Sequence, residues 1–96
     1  MSVKDILIEA AALIDDRGVN YGGGIEANFE RAASLASLKL NRHISAYDIA
    51  IMMESVKDAR RAIAPGHYDS HIDGINYRAF ALVLSRAELP KGERDD

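Results

Sequence analysis

The sequence predicts an all-α domain, an antiparallel four-helix bundle that self-associates. Three observations carry that reading. Apolar residues recur at three- and four-residue spacing in four separate stretches. Glycine, proline and capping residues punctuate the chain between those stretches. No run alternates apolar and polar residues as a half-buried strand would. The connections are short, which favours antiparallel neighbours.

The first helix is expected over residues 3–17. Val3, Ile6, Leu7, Ala10, Leu13 and Ile14 form its stripe, and Ser2 with Asp5 makes a capping box. Gly18 suits the left-handed position that ends many helices. A glycine-rich loop, residues 18–24, follows. It is either a plain turn or a ligand-facing loop with Tyr21 as a stacking surface, and it is no Walker motif, since no Gly-Lys-Ser/Thr follows it.

The second helix is expected over residues 25–40. Phe29, Ala32, Ala33, Ala36 and Leu40 face inward, broadened by Leu35 and Leu38. Its alanines allow a neighbour to approach closely. Ser45 and Asp48 make a second capping box, with Ile44 as the staple before it. The third helix then carries Ile49, Met52, Met53, Val56, Ala59 and Ile63 as its core stripe, and Pro65-Gly66 stops it. Asp69 or Ser70 is expected to cap the fourth helix, with Ser70 and Asp73 as a third capping box. Ile72, Ile75, Ala79, Leu82, Val83 and Ala87 face inward there, and Pro90 ends it. Gly74 lies inside that helix at a cost of about 1 kcal/mol relative to alanine, which suggests close approach of a helix or ligand. Residues 1–90 thus form one helical domain and residues 91–96 a charged, frayed tail.

The chain has 96 residues, so it forms one domain with a small core. Such a chain buries only about 60–65% of its unfolded surface. Ile8, Leu35, Ile51 and Leu84 fall off the expected inner faces, a surplus of apolar positions that points to a homo-oligomer. The net charge of −3 argues against a general nucleic-acid binder, which needs a basic face. The absence of cysteine removes disulfides and thiolate metal sites, and fits a cytoplasmic protein. No apolar run approaches the roughly 20 residues that span a membrane, and the N-terminus has no signal-peptide pattern.

The chemistry concentrates in the last two helices. Glu26 with Glu30, Glu54 with Asp58, and Asp69 with Asp73 are acid pairs four apart on three helices. Like charges at that spacing repel. Mg²⁺ held beside substrate phosphates would offset them, as would pairing with nearby bases. Lys57, Arg60 and Arg61 are the bases at hand, either meeting phosphate or forming a solvated face. Tyr77 stacks on a base or packs in the core. His67, Asp69, His71 and Asp73 alternate at the last helix start, either as transition-metal ligands or as exposed groups. Neither Ser-His-Asp nor Cys-His catalysis is indicated.

Four segments carry a resemblance. E-A-A-A-L-I-D-D-R-G-V-N-Y-G-G, E-A-N-F-E-R-A-A-S-L, D-I-A-I-M-M-E-S-V-K-D-A-R-R-A and H-Y-D-S-H-I-D-G-I-N-Y together resemble an uncharacterised family of small bacteriophage and prophage proteins. The last helix is similar to that of phage nucleotide-modification-associated proteins. The layout resembles the all-α NTP pyrophosphohydrolases of the MazG and dimeric dUTPase type. Those are helical oligomers that hold Mg²⁺ with acids from facing helices and cleave between the α and β phosphates. The resemblance implies a nucleotide-binding protein of the host-cell cytoplasm. Glu26, Glu30, Glu54, Asp58 and Asp73 would be the Mg²⁺ ligands, with Glu54 and Asp58 catalytic. Lys57, Arg60, Tyr21 and Tyr77 would hold the nucleotide. The MazG pattern spaces its acids as Glu-x-x-Glu and Glu-x-x-Asp, whereas here both pairs are four apart. Asn20 stands where the phage family has Asp, and Asn76 falls within its Gly-Tyr motif. Two other readings stay open, a nucleotide-sequestering protein without turnover and a small helical protein–protein adaptor.

Overall fold

The computed structural model describes residues 1–20 and 24–88. Among them are four α-helices and no strand: α1 (Val3–Asn20), α2 (Ile25–Leu40), α3 (Ala46–Ile63) and α4 (Tyr68–Glu88). Tyr21 lies outside the described residues, as do the expected stop at Pro90 and the tail over 91–96.

Local signals set most helix ends. At α1, the Ser2 amide donates to Asp5 Oδ2 at 3.3 Å and the Asp5 amide to Ser2 Oγ at 3.1 Å. The same reciprocal box opens α3, where both Ser45–Asp48 bonds are 3.0 Å. Helix α1 continues two residues beyond Gly18, so that glycine is not its stop. Gly24 begins α2 with φ +95°, a backbone that side-chain-bearing residues rarely adopt. Asn41 ends α2 in the left-handed conformation, its amide bonded to the Ser37 carbonyl. Ser37 Oγ also accepts from the Ile44 amide at 2.9 Å and donates to the Ile44 carbonyl at 3.1 Å. One serine therefore pins the whole connector before α3.

The helices close into a ring. The α3–α4 pair is the most intimate, followed by α2–α3 and α1–α4, with α1–α2 the loosest of these four. Phe29, Ala33, Ala46, Ala50, Phe80, Ala81 and Leu84 form the core cluster. The alanines bring α3 and α4 together, and Phe29 fills the remaining width against Phe80, ring centroids 5.4 Å apart.

This packing corrects the expected stripe of α3. Ile49 and Met53 are half-buried, but Met52, Val56 and Ile63 are 42%, 59% and 90% exposed. The buried face runs through Ala46, Ala50 and Glu54 instead. Helix α4 is rotated in a similar way. Ile72 is buried as expected, while Ala79, Leu82, Val83 and Ala87 are exposed and Leu84 is in the core. Val3, Leu7, Ile8, Leu35, Leu38, Leu40 and Ile51 are also exposed.

Candidate functional site

Helix α4 starts before the positions expected of it. It begins at Tyr68, and the residue ahead of it acts as the cap. His67 Nδ1 accepts from the Ser70 amide at 3.3 Å and lies 2.8 Å from Ser70 Oγ. Neither Asp69 nor Ser70 is the N-cap, and no Ser70–Asp73 capping box forms. Released from the helix end, Ser70, Asp73 and Asn76 turn inward and are buried. Residues three apart in a helix lie on one face, so these three form a polar stripe along α4.

Ser70 is held by His67 at the start of the helix, whereas Asn76 and Asp73 are met from other helices. Asn76 Nδ2 donates to the Ala10 carbonyl of α1 at 2.9 Å. Because a carbonyl can only accept, that bond fixes the amide orientation and leaves Oδ1 as an acceptor. Asp73 Oδ2 lies 3.1 Å from Lys57 Nζ of α3, with the two side chains only 11% and 21% exposed. Burial removes solvent screening, so this pair interacts more strongly than a surface one. One turn ahead on α4, the Tyr68 hydroxyl donates to Glu9 of α1. That bond, with some desolvation and the negative charges of Glu9 and Asp69, raises the Tyr68 pKa from its ordinary value.

A second charged group faces a groove on the other side of the α3–α4 contact. Glu54, buried, accepts from Arg78 Nε at 2.7 Å, although Arg78 itself is largely exposed. Asp58 pairs with Arg61 at 2.6 Å on the surface. Glu54, Asp58, Arg61, His71, Gly74 and Arg78 line this groove, whose volume is about 300 Å³. Nothing lies within 4 Å of a Cβ built on Gly74, so the glycine faces open space and allows no close helix contact.

Between the four helices, lined in part by Asn76 and Tyr77, lies a smaller cavity of about 200 Å³. Phe29, Tyr77 and Phe80 form aromatic walls, with Asn28 and Asn76 at its polar edge and Met53 from α3. Phe29 and Tyr77 meet edge to face, centroids 6.2 Å apart.

The residues singled out from the sequence distribute over these places. Lys57 and Asp73 meet in the interior, Glu54 and Asp58 share the outer groove, and Tyr77 lines the cavity. Arg60 is exposed on the last turn of α3. Glu26 is exposed on α2, and Glu30 lines a different depression with His43 and Glu88. Glu30 therefore lines a different depression from Glu54 and Asp58. Among the described residues, no group of three or more His, Asp or Glu could hold a metal ion. Two of the three histidines are engaged locally, His67 as the cap and His71 with Nε2 at 2.6 Å from the Pro65 carbonyl. Sequence reasoning missed Arg78, Asn28, Glu9 and the capping role of His67. A polar residue such as Asn76 on an inward-facing position was the available signal.

The chain matches the family described as Domain of unknown function (DUF6378) over residues 5–85, and it belongs to that family. No curated protein matches it, and no solved structure does.

Proposed function

We propose that this chain is an antiparallel four-helix domain that self-associates and binds a nucleotide or related phosphorylated small molecule. Lys57 is the principal phosphate contact, oriented by Asp73 and joined by Arg60 one turn along α3. The observation that carries this reading is the Lys57–Asp73 pair inside the bundle. Desolvation cancels much of the attraction in such a pair, and apolar residues of similar volume often stabilise a fold as well or better. A half-buried cation paired with an acid across two helices can still serve an arriving anion. A phosphate oxygen can then share the ammonium, which carries three donors.

Glu54 and Asp58 line one groove and Glu30 another, and among the described residues no three acids or histidines are grouped as a metal site. The proposal is therefore binding, with Mg²⁺ entering as the counter-ion of the nucleotide phosphates. A phage or prophage setting in the host cytoplasm rests on the sequence resemblance. Self-association is supported by Met52, Val56 and Ile63, which fall on one exposed stripe of α3.

Thermal denaturation with a panel of nucleotides, with and without Mg²⁺, tests the reading. A nucleotide bound only by the folded chain should raise the melting temperature, by about 2.7 kcal/mol of stability at a hundredfold excess over Kd. Lys57→Ala with Arg60→Ala should abolish the shift. If no nucleotide shifts the wild type, the reading fails. Pyrophosphate release from a bound triphosphate would make the protein a hydrolase, and its absence a sequestering protein.

A further inference from the structure

We infer that the cavity beside Asn76 is a nucleobase subsite, one helical turn from the phosphate contact at Lys57; the inference rests on the nucleotide-binding reading above. Size is the first argument. At about 200 Å³ the cavity falls below the roughly 300–1,000 Å³ of pockets that enclose whole drug-sized ligands. It has room for one planar heterocycle and leaves a sugar and phosphates outside.

Lining is the second argument. Phe29, Tyr77 and Phe80 present aromatic surface to a flat ligand, the type of surface on which bases stack regardless of identity. The polar edge is made of carboxamides. Asn76 is 6% exposed, and its Nδ2 is committed to the Ala10 carbonyl. Its Oδ1 is the remaining acceptor, and Asn28 adds an amide that both donates and accepts. Acceptor and donor beside an aromatic wall match the edge of a base, which alternates ring nitrogens, carbonyls and amines. A fatty or purely apolar ligand would leave these amides unmatched.

Register is the third argument. Met53 precedes Lys57 by four residues on α3, and Asn76 and Tyr77 follow Asp73 by three and four on α4. The cavity thus sits one turn, about 5.4 Å, along both helices from the Lys57–Asp73 pair. A sugar bridges that separation, with the base inward and the phosphate toward Lys57 and the exposed Arg60.

Calorimetric titration separates this inference from the broader one. The ligands are ribonucleoside and deoxyribonucleoside triphosphates, with ribose 5-phosphate and inorganic tripolyphosphate as base-free comparisons. At least one nucleotide should bind tenfold or more tightly than tripolyphosphate. Ala32→Leu, which projects into the cavity, should erase that preference while leaving tripolyphosphate affinity unchanged. Asn28→Ala, which removes one edge amide without an added side chain, should weaken the preferred nucleotide and serves if the leucine variant does not fold. Lys57→Ala with Arg60→Ala should weaken every phosphate ligand. Equal affinity for nucleotides and tripolyphosphate would overturn the base subsite and leave the phosphate contact standing. A base preference that survives both cavity variants would also overturn it. Absence of binding by any of these ligands would overturn both readings.

Discussion

Replacing Lys57 by methionine should destabilise the domain by about 2–3 kcal/mol. The figure lies between two limits. Removing one partner of a fully buried ion pair costs about 3–5 kcal/mol, because the other charge is left uncompensated. An exposed pair is worth about 0.2–1 kcal/mol. Here the Asp73 side chain is 11% exposed and that of Lys57 21%, close to the buried limit but with some access to water, and Asp73 keeps a further polar interaction that moderates the loss. Methionine retains much of the apolar stem, so the loss reports on charge rather than on a cavity. Asp73→Asn should cost less, about 1–2 kcal/mol, since the long Lys57 side chain can swing its ammonium toward solvent. The double variant should lose less stability than the sum of the two single losses, the shortfall being a coupling of about 1–2 kcal/mol. Urea denaturation followed by circular dichroism, at one fixed protein concentration, measures all four corners of the cycle. For a domain of this size the Lys57→Met loss corresponds to roughly 10–20 °C in melting temperature. A Lys57→Met change below about 0.5 kcal/mol with coupling near zero would show that the pair does not form in the folded state, and the argument for an interior phosphate contact would go with it.

Gly74→Ala should stabilise the protein by about 0.8–1 kcal/mol, because the added Cβ meets nothing within 4 Å; a lowered melting temperature would mean that something fills the α3–α4 groove in solution. Ser45→Ala should cost about 1 kcal/mol, seen in the same urea titration, through loss of the side-chain half of the α3 capping box. The Tyr68 phenol should titrate above its ordinary value of about 10, and Glu9→Gln should bring it down, as read from phenolate absorbance. A raised folded-state pKa means that the hydrogen bond stabilises the fold at pH values below the unfolded value and ceases to do so as pH rises through the folded one. Tyr68→Phe should therefore destabilise at neutral pH, and that penalty should disappear at strongly alkaline pH, where Glu9 and Asp69 repel the phenolate. Light scattering should find an oligomer that Val56→Asp, on the exposed α3 stripe, converts to monomer; a wild-type monomer from micromolar to millimolar concentration would remove the self-association proposal.

The helices were legible from the sequence because their signals are local. Ser2–Asp5 and Ser45–Asp48 bond across three residues, a contact that the helix itself enforces wherever it begins. Pro65 and Gly66 act on the backbone that carries them, and the break between α3 and α4 falls there. The same locality misled at α4. Ser70 and Asp73 have the spacing of a capping box, yet His67 takes the cap and frees both for the interior. Which face of α3 is buried was settled only by tertiary packing. That helix carries alanines at 46 and 50 on one side and Met52, Val56 and Ile63 almost opposite. Hydrophobic periodicity favours the larger stripe, but the small residues let α3 and α4 approach closely, and this brings Glu54 and Lys57 inward with them. The pairings that define the candidate site, Lys57 with Asp73, Glu54 with Arg78 and Asn76 with Ala10, join different helices. Sequence spacing specifies neighbours along one helix; partners across a bundle depend on how far each helix is rotated about its axis, and that rotation is a property of the packed core as a whole.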